Sequence, residues 1–435
     1  MRLPTIWGVL CRLWLAAALG LALAPSARAA DLHQGVASCA GGICHASSQP
    51  LGNSGIRRDE YFIWQQRDPH ARATATLGSE RSRRIGAALG LDPQSAPQCL
   101  ACHADAIAPA QRGERWLASD GIGCEVCHGG SERWLAEHSR PGLSLAQKAA
   151  MGMTATWQPE VRAALCLDCH QGDTSHPISH AMMAAGHPPL LFELDTFSAL
   201  QPPHYDRDAD YAERKGGADA ARDWALGQAL AADRLLGALA QGELGKGLMP
   251  ELVYFDCEAC HHPLTAGRWQ SGRNAGTAPG TPPLADAPLY WLGLWLQVAA
   301  PEAAPDWHRQ LLALQASTGQ GHAALQLAAR TARTQLQERL LPLLRERRLD
   351  PTQLKSLLRT IAGTGESVRG RDFLAAQQSA MAALVIGDAL TQRGFPQSPA
   401  QRQATEALYA AVRERERFRP GDYQAALRRL RDSLP

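Results

Sequence analysis

Ten cysteines occur in pairs, and a histidine directly follows the second cysteine of every pair. The pairs with their histidines are Cys39, Cys44 and His45; Cys99, Cys102 and His103; Cys124, Cys127 and His128; Cys166, Cys169 and His170; and Cys257, Cys260 and His261. Two thiols spaced in this way can add to the vinyl groups of one porphyrin, and the next imidazole can reach its iron. The pattern predicts five covalently attached c-type haems.

The first pair differs because four residues, rather than two, separate its cysteines. This longer loop contains Gly41 and Gly42, and glycine adopts backbone angles that other residues avoid. We expect these two glycines to supply such angles, so that the first motif also attaches a haem.

A zinc site is the alternative for cysteines two residues apart. Zinc ribbons pair one such motif with another, and they do not require a histidine after each second cysteine. That histidine is present five times in five. The pattern therefore favours haem over zinc or a catalytic thiol.

Residues 1–29 are typical of a cleaved secretory signal peptide. Arg2 and Arg12 precede an apolar run at 13–24, and the small residues Ala27 and Ala29 follow it. The run is shorter than the about 20 residues of a membrane span, although an uncleaved anchor is the alternative. Cleavage would remove Cys11 and leave no cysteine for a disulfide, so we expect a periplasmic protein stabilised by its haems.

Length and composition indicate two folded parts. The motifs end at His261, and residues 272–283 are rich in glycine, proline and threonine. We predict a signal peptide at 1–29, a pentahaem domain at 30–271, a linker at 272–283 and a helical domain at 284–435. The haem domain offers about 48 residues per motif, too few for separate protein cores, so the porphyrins should form much of its core.

The fold class predicted is mainly α with little regular strand. Helical spacing is clear at 80–89 and 218–239, and the chain beyond the linker is helical almost throughout. Pro342 should end or kink one of these helices, and Asp372 and Asp422 should cap two others. The C-terminal part is expected to form a separate bundle that guides docking of a redox partner.

The formal net charge of +2 includes the three arginines of the signal segment. Without them, and with two propionates on each haem, the mature protein should be acidic. Nucleic-acid binding therefore has no support.

Histidines outside the motifs are concentrated before residue 270. These eight are His33, His70, His138, His176, His180, His187, His204 and His262. An iron with one motif histidine needs a sixth ligand, and a second histidine is the expected one. His187, in a Gly-His-Pro-Pro sequence, is the strongest member of the 180–204 cluster. For His33 and His176 a surface loop is the simpler explanation, and His262 is expected to face a propionate.

Several segments resemble one family. They are YFIWQQRDPHARA, CLACH, DGIGCEVCHGG followed by Trp134-Leu135 and His138, CLDCH followed by SHAMMAAGHPPLLFEL, and DCEACHHPL. This order is similar to that of the multihaem cytochromes c related to the tetrahaem cytochrome that accepts electrons from hydroxylamine oxidoreductase. The resemblance covers roughly residues 36–270.

The resemblance implies distal ligands for individual haems. By that likeness His70 would serve the third haem and His138 the fourth, and a histidine among 180–204 would reach the first. In the tetrahaem relative, the second haem lacks a sixth protein ligand. We therefore predict ten iron ligands, the five motif histidines together with His70, His138, His180, His187 and His204. The fifth motif and the long tail depart from the relative, so its reaction partner is not carried over.

Electron transfer through five haems is the function that these features favour. The partners would be redox protein donors and acceptors, a membrane quinol-linked complex among them. The alternative is an oxidoreductase that acts on a small nitrogen or sulfur compound at a haem with an open axial position. Lysine replaces the motif histidine at the catalytic haem of some such enzymes, and no motif here contains lysine. We assign no catalytic residue.

Overall fold

The computed structural model describes residues 31–50, 57–206, 208–217, 219–242, 251–261, 281–364 and 373–434. Helices make up 63% of the structure and strands 1%, and the described residues contain no sheet. The prediction of a mainly α protein is confirmed. The predicted signal peptide, His262, Asp372 and most of the predicted linker lie outside the described residues.

The part that carries the first four motifs consists of short helices joined by turns. They are α1 Glu60–Arg67, α2 Ala73–Thr76, α3 Glu80–Leu89, α4 Pro97–His103, α5 Cys124–His128, α6 Leu145–Ala150, α7 Pro159–His170, α8 His180–Ala184, α9 Leu194–Leu200 and α10 Ala209–Lys215. Three of these helices end at a motif histidine. The C-terminal ends of these three helices therefore coincide with the ends of motifs.

Longer helices follow. They are α11 Ala220–Gln241, α12 Ala287–Ala299, α13 Ala304–Ser317, α14 His322–Gln335, α15 Leu341–Glu346, α16 Pro351–Gly363, α17 Phe373–Gln392, α18 Pro399–Ala411 and α19 Pro420–Ser433. A π-helical turn, Leu336–Leu340, joins α14 to α15, so the irregularity expected at Pro342 lies just before it. Asp422 lies within the first turn of α19, so the prediction that it caps this helix is wrong.

Helix α11 is buried almost all round, which is the mark of a central core helix. Asp219 caps its start, and Gly242 ends it in the left-handed conformation with φ of 79°. The C-terminal helices pack against α11 in one large hydrophobic core that includes Trp224 and Leu236. The C-terminal helices therefore share their core with α11, a helix that lies within the predicted haem domain at 30–271.

The other side of α11 packs against the helix of the fourth motif. Ala231 of α11 shares a second hydrophobic cluster with Ala163 and Leu167 of α7. Leu194 comes so close to Gly227 that a Cβ at this glycine would lie 2.8 Å from the Leu194 Cβ. Helix α11 thus ties the haem motifs to the C-terminal helices.

Helix α17 is long and apolar enough to cross a membrane by composition alone. Of its most apolar window, 78% is buried inside the protein. It is accordingly a core helix of the C-terminal part.

Leu236→Ala should destabilise the whole protein. The Leu236 side chain is fully buried at the centre of the shared core, so the cavity left behind should lower the free energy of unfolding by about 2–5 kcal/mol. Leu327→Ala is the control, because Leu327 is 60% exposed and should change stability by less than about 0.5 kcal/mol. Denaturant unfolding followed by circular dichroism measures both. Equal stability of the two variants would contradict the central role of α11.

Candidate haem sites

Four of the motifs occupy short helical turns. Helix α4 ends at His103, α5 ends at His128 and α7 ends at His170, while the fifth motif begins with a 3-10 turn at Cys257–Ala259. Residues three and four apart on a helix share a face. Both sulfur atoms and the imidazole of each motif can therefore contact one porphyrin from the same side.

The first motif closes by a different route. The Cys44 amide donates to the Gly41 carbonyl at 2.8 Å, and the His45 amide donates to the Cys39 carbonyl at 3.3 Å. Neither Gly41 nor Gly42 has a positive φ. The expectation that these glycines supply unusual backbone angles is wrong, because backbone hydrogen bonds accommodate the longer loop as a turn.

The ten described cysteines form no disulfide. Burial raises the pKa of Cys127 to about 12 and that of Cys166 to about 11. Zinc binds thiolates, which such an environment disfavours, whereas thioether formation leaves no charge. In the part of the chain that the structure describes, the cluster able to hold a metal ion by side-chain ligands alone contains no cysteine. The geometry thus favours haem attachment over zinc.

Contacts between thiols give the spatial order of four motifs. The thiols of Cys39 and Cys124 are hydrogen-bonded, which puts the first motif beside the third. Cys102 and Cys169 are likewise hydrogen-bonded, which puts the second beside the fourth. Cys127 lies close enough to Cys169 to feel its charge, so the third and fourth are also neighbours. The motifs follow the order one, three, four, two.

Four motif histidines face a second histidine from elsewhere in the chain. The ring centres lie 6.1 Å apart for His45 and His138, 6.2 Å for His170 and His70, 6.3 Å for His128 and His204, and 6.0 Å for His261 and His180. Metal–nitrogen bonds of about 2 Å on each side, and about 1 Å from each nitrogen to its ring centre, separate such rings by about 6 Å. These pairs have the spacing that one iron between two imidazoles requires.

The remaining motif histidine, His103 of the second motif, has a neighbour at a longer range. His187 feels the charge of His103, which contributes to lowering the His187 pKa after the larger effect of burial. No ring contact between the two is found among the described residues. In the second motif, therefore, His187 is not held at the ring-centre spacing of the other four pairs.

Hydrogen bonds through Nδ1 orient five of the ten predicted ligand rings. Among the histidines outside the motifs, Nδ1 of His138 donates to the Leu135 carbonyl at 2.8 Å, Nδ1 of His70 to the Asp68 carboxylate at 2.9 Å, and Nδ1 of His187 to the Pro188 carbonyl at 2.8 Å. Among the motif histidines, Nδ1 of His45 donates to the Glu60 carboxylate at 3.1 Å, and Nδ1 of His103 donates to the Ala73 carbonyl at 3.1 Å. Such a bond fixes the tautomer and leaves Nε2 for a metal. The sequence analysis missed these partners, although Asp68-Pro69-His70 carries a recognisable capping pattern.

The His70 segment is held on both sides. Asp68 is buried, and its carboxylate accepts from the His70 amide at 3.0 Å as well as from the ring. The Ile122 amide donates to the His70 carbonyl at 3.0 Å. Gly121 has φ of 68°, and a Cβ there would lie 2.5 Å from that carbonyl oxygen. Glycine is therefore required at position 121 for the chain to approach His70 so closely.

Burial keeps two of the motif imidazoles neutral. It lowers the pKa of both His128 and His170 to about 4. Phe192 and Phe197 pack against the His170 ring, with ring centres 5.7 and 5.1 Å away. A neutral imidazole is the form that binds iron, so the surroundings of these rings suit a metal ligand.

The observed pairs differ from those that the resemblance implies. His70 lies beside His170 of the fourth motif and not beside the third, and His138 lies beside His45 of the first motif and not beside the fourth. Of the 180–204 cluster, His204 lies beside the third motif and not the first. The folded path of the chain, which a single sequence does not reveal, determines which rings meet.

Two further histidines have partners of another kind. His33 donates through Nδ1 to Asp105 at 2.8 Å, and Trp116 donates to the same carboxylate at 3.1 Å. His176 donates to Asp173 at 3.1 Å. Asp168 and Asp173 are bridged by Arg234, so this acidic cluster already contains its own cation. Both histidines thus serve the local structure, and neither was predicted as a ligand.

Comparison with known families gives one match. Residues 39–129 match the model described as cytochrome c554 and c-prime, which spans about a fifth of the chain and includes the first three motifs. This segment is similar to that of c-type cytochromes. Covalently bound haem iron and electron transfer are the properties of such cytochromes. No curated protein and no solved structure matches the chain significantly.

His138→Ala tests the predicted ligand role of this histidine. If the motifs attach haem, loss of the ring beside His45 removes a predicted ligand without affecting any motif cysteine, so one haem should become high-spin and bind carbon monoxide. His176→Ala is the matched control, because His176 is held by Asp173 and faces no motif histidine among the described ring contacts. Absorbance and paramagnetic resonance spectra of both variants measure the change. A spectrum of His138→Ala identical to that of the control would refute the assignment.

Glu193 should make stability depend on pH. Its buried carboxylate caps α9, accepting from the Asp195 and Thr196 amides at 2.8 and 2.7 Å. Burial raises its pKa from 4.5 to about 7, so the folded protein binds this proton more tightly than the unfolded chain. Stability should therefore fall by about 1–3 kcal/mol as pH rises from about 4.5 through 7.

Glu193→Gln should remove this part of the pH dependence. The control is Glu406→Gln, at an exposed position on α18. Urea unfolding at pH 5 and pH 8 measures the slope for each variant. A slope that is the same in the two variants would show that Glu193 is ionised in both folded and unfolded states.

Proposed function

We propose that the protein is a periplasmic electron-transfer cytochrome with five covalently bound haems. The observation that carries this proposal is the second histidine beside four of the five motif histidines, at 6.0–6.3 Å between ring centres. A haem with histidine on both sides has no open position for a substrate. Such a haem accepts and donates electrons.

The ten motif cysteines would attach the porphyrins, and ten histidines would hold the irons. The pairs would be His45 with His138, His103 with His187, His128 with His204, His170 with His70, and His261 with His180. Each porphyrin supplies the redox chemistry when bound, while the chain fixes the imidazoles and excludes water. The carboxylates at His45 and His70 would increase the basicity of these two ligands and thereby favour the oxidised iron.

The order of the motifs supports a continuous path for electrons. The first four follow one another through cysteine contacts, and a porphyrin attached at each would lie beside the next. The first motif lies at one end of this order. Cys44 is exposed there and Ile43 is 86% exposed, so we assign electron exchange with a partner to this end.

The partners we propose are redox proteins, a membrane quinol-linked complex among them. Export by the signal peptide at 1–29 would bring the chain to the compartment where c-type haems are attached.

An oxidoreductase is the second candidate, and one observation favours it. In the second motif, the histidine from outside the motif, His187, is not held at the ring-centre spacing of the other four pairs. A haem attached at Cys99 and Cys102 is accordingly the place where a small nitrogen or sulfur compound would bind. Carbon monoxide binding by the unmodified reduced protein would support this candidate, and an unchanged spectrum supports the carrier.

Haem content is the direct test of the proposal. Intact mass should exceed that of the chain without residues 1–29 by five haems, and a reductive titration should take up five electrons per chain. Mass analysis of proteolytic fragments assigns each haem to its motif. Four haems, with the Cys39 to His45 fragment unmodified, would show that the longer first loop is not used.

A further inference from the structure

Four arginines meet where the start of α11 lies between the helix of the fourth motif and the C-terminal helices. This arginine cluster consists of Arg162 of α7, Arg222 of α11, Arg348, which follows α15, and Arg393, which follows α17. Within the described residues, the ion pairs of the cluster involve two carboxylates, those of Asp219 and Asp223. Four positive charges therefore face two negative ones.

The two carboxylates hold the guanidinium groups at long range. Asp223 is the inner one, and its oxygens lie 3.2 Å from Arg162 and 3.3 Å from Arg222. Asp219 uses Oδ1 to cap α11, and its Oδ2 lies 3.4 Å from each of the other two arginines. Charge-assisted hydrogen bonds between such groups are typically about 2.7–2.9 Å long. The internal pairing is thus weaker than this number of charges allows.

Two donors of the cluster lack an acceptor. The Nε atoms of Arg162 and Arg222 are buried, and neither makes a hydrogen bond within the part of the chain that the structure describes. A charged donor that is removed from water loses free energy unless an acceptor replaces the water. An anion with several oxygen atoms would supply acceptors and also balance the surplus charge.

The electrostatics of the cluster favour such an anion. The charge of Arg222 contributes to lowering the pKa of Arg348, after the larger effect of burial. Burial raises the pKa of Asp223, which makes its negative charge less available. The first turn of α11 adds the partial positive charge of a helix N-terminus. Each of these effects increases the positive potential at the centre of the cluster.

Solvent reaches the cluster from one side. The side chains of Arg348 and Arg393 are 46% and 31% exposed, whereas those of Arg162 and Arg222 are 19% and 18% exposed. The outer pair therefore forms a rim around the inner pair. An ion can enter at this rim without the helices moving apart.

The position of Arg162 argues against a propionate of the fourth haem as this anion. Arg162 lies one helical turn before Cys166, close enough for its charge to act on the Cys166 thiol. Thioether bonds form at one edge of a porphyrin, and the propionates extend from the opposite edge. The propionates of a haem attached at the fourth motif would therefore point away from Arg162.

We propose that the arginine cluster binds a free oxyanion of the phosphate or sulfate class. The planar guanidinium group donates two parallel hydrogen bonds to pairs of oxygen atoms, which a halide ion does not offer. The bound anion would join α7 and α11 to the segments that follow α15 and α17. It would thus link the fourth motif to the C-terminal helices, whatever the number of haems attached.

Calorimetric titration of the holoprotein with sodium phosphate and sodium sulfate, in a chloride buffer of constant ionic strength, tests the site. The unmodified protein should bind one oxyanion per chain, and Arg222→Gln should weaken this binding about tenfold or more, because a charged hydrogen-bond donor is lost. Arg429→Gln is the matched control, since it removes the same charge at an exposed position on α19 and should bind normally. Absence of binding by the unmodified protein, or equal affinity in Arg222→Gln and the control, would overturn the proposal.

Arg348→Gln guards against misfolding of the inner variant. Arg348 lies at the exposed rim, so its replacement should weaken phosphate binding while circular dichroism and the thermal midpoint without phosphate stay close to those of the control. Phosphate should raise the thermal midpoint of the unmodified protein and raise that of Arg348→Gln less. The same increase in both proteins would place the anion elsewhere and contradict the proposed site.

Asp223→Asn separates an anion site from an ion-pair network that is complete by itself. Its carboxylate competes with an added anion for Arg162 and Arg222, so the neutral amide should increase the affinity for phosphate. A self-contained network predicts lower stability in this variant and no gain in phosphate affinity. Unchanged or weaker phosphate binding by a variant with native helix content would therefore refute the oxyanion site.

Discussion

The spacing of paired imidazoles is the constraint on which the rest of this structure depends. An iron between two histidines requires ring centres about 6 Å apart, with a ring nitrogen of each directed at the metal. The chain meets this requirement with rings that are distant in sequence, such as His45 and His138. Hydrogen bonds at Nδ1, to Asp68 or to the Leu135 carbonyl, then hold the rings in orientation. Short helices and turns of the haem part follow from the need to bring these rings together.

The hydrophobic core is distributed unevenly along the chain. The haem part has short helices and a small apolar cluster around Leu167 and Leu194, whereas the large core lies in α11 to α19. Apolar porphyrins between the motifs would supply the missing burial when bound. Helix α11 joins the two regions, because one side packs on the fourth motif and the other on the C-terminal helices. The stability of the haem sites is thereby coupled to helices that contain no motif.

Local patterns carried the sequence-based predictions that hold. The motif spacing and helical periodicity predicted a mainly α protein, and the helix expected at 80–89 has the same bounds in the structure, Glu80–Leu89. Eight of the ten predicted iron ligands lie in the four histidine pairs, and coordination itself stays a prediction. Asp422 fails as a cap because Pro420 begins α19 one turn earlier than the spacing of apolar residues indicates. Gly41 and Gly42 fail as strained positions because backbone hydrogen bonds form an ordinary turn.

Contacts between residues that are distant in the chain could not be predicted from the sequence. Which distal ring faces which motif depends on the path of the whole chain, and the ring neighbours of His70 and His138 differ from the pairs that the family resemblance implies. The role of α11 was hidden for the same reason, since an apolar helix gives no sign of which neighbours cover it. The anchoring carboxylates Asp68 and Glu60 are common residue types, and their role is visible only beside a histidine.

Electron paramagnetic resonance of the oxidised protein tests the paired-histidine account most directly. The ring planes meet at 18° for His45 and His138 and at 31° for His180 and His261, but at 84° for His70 and His170 and at 89° for His128 and His204. Nearly parallel imidazoles give rhombic low-spin signals, and perpendicular ones give strongly anisotropic signals. The account predicts two haems of each class by spin counting, with the haem of the second motif in addition. A spectrum dominated by high-spin iron, or one lacking the anisotropic class, would contradict it.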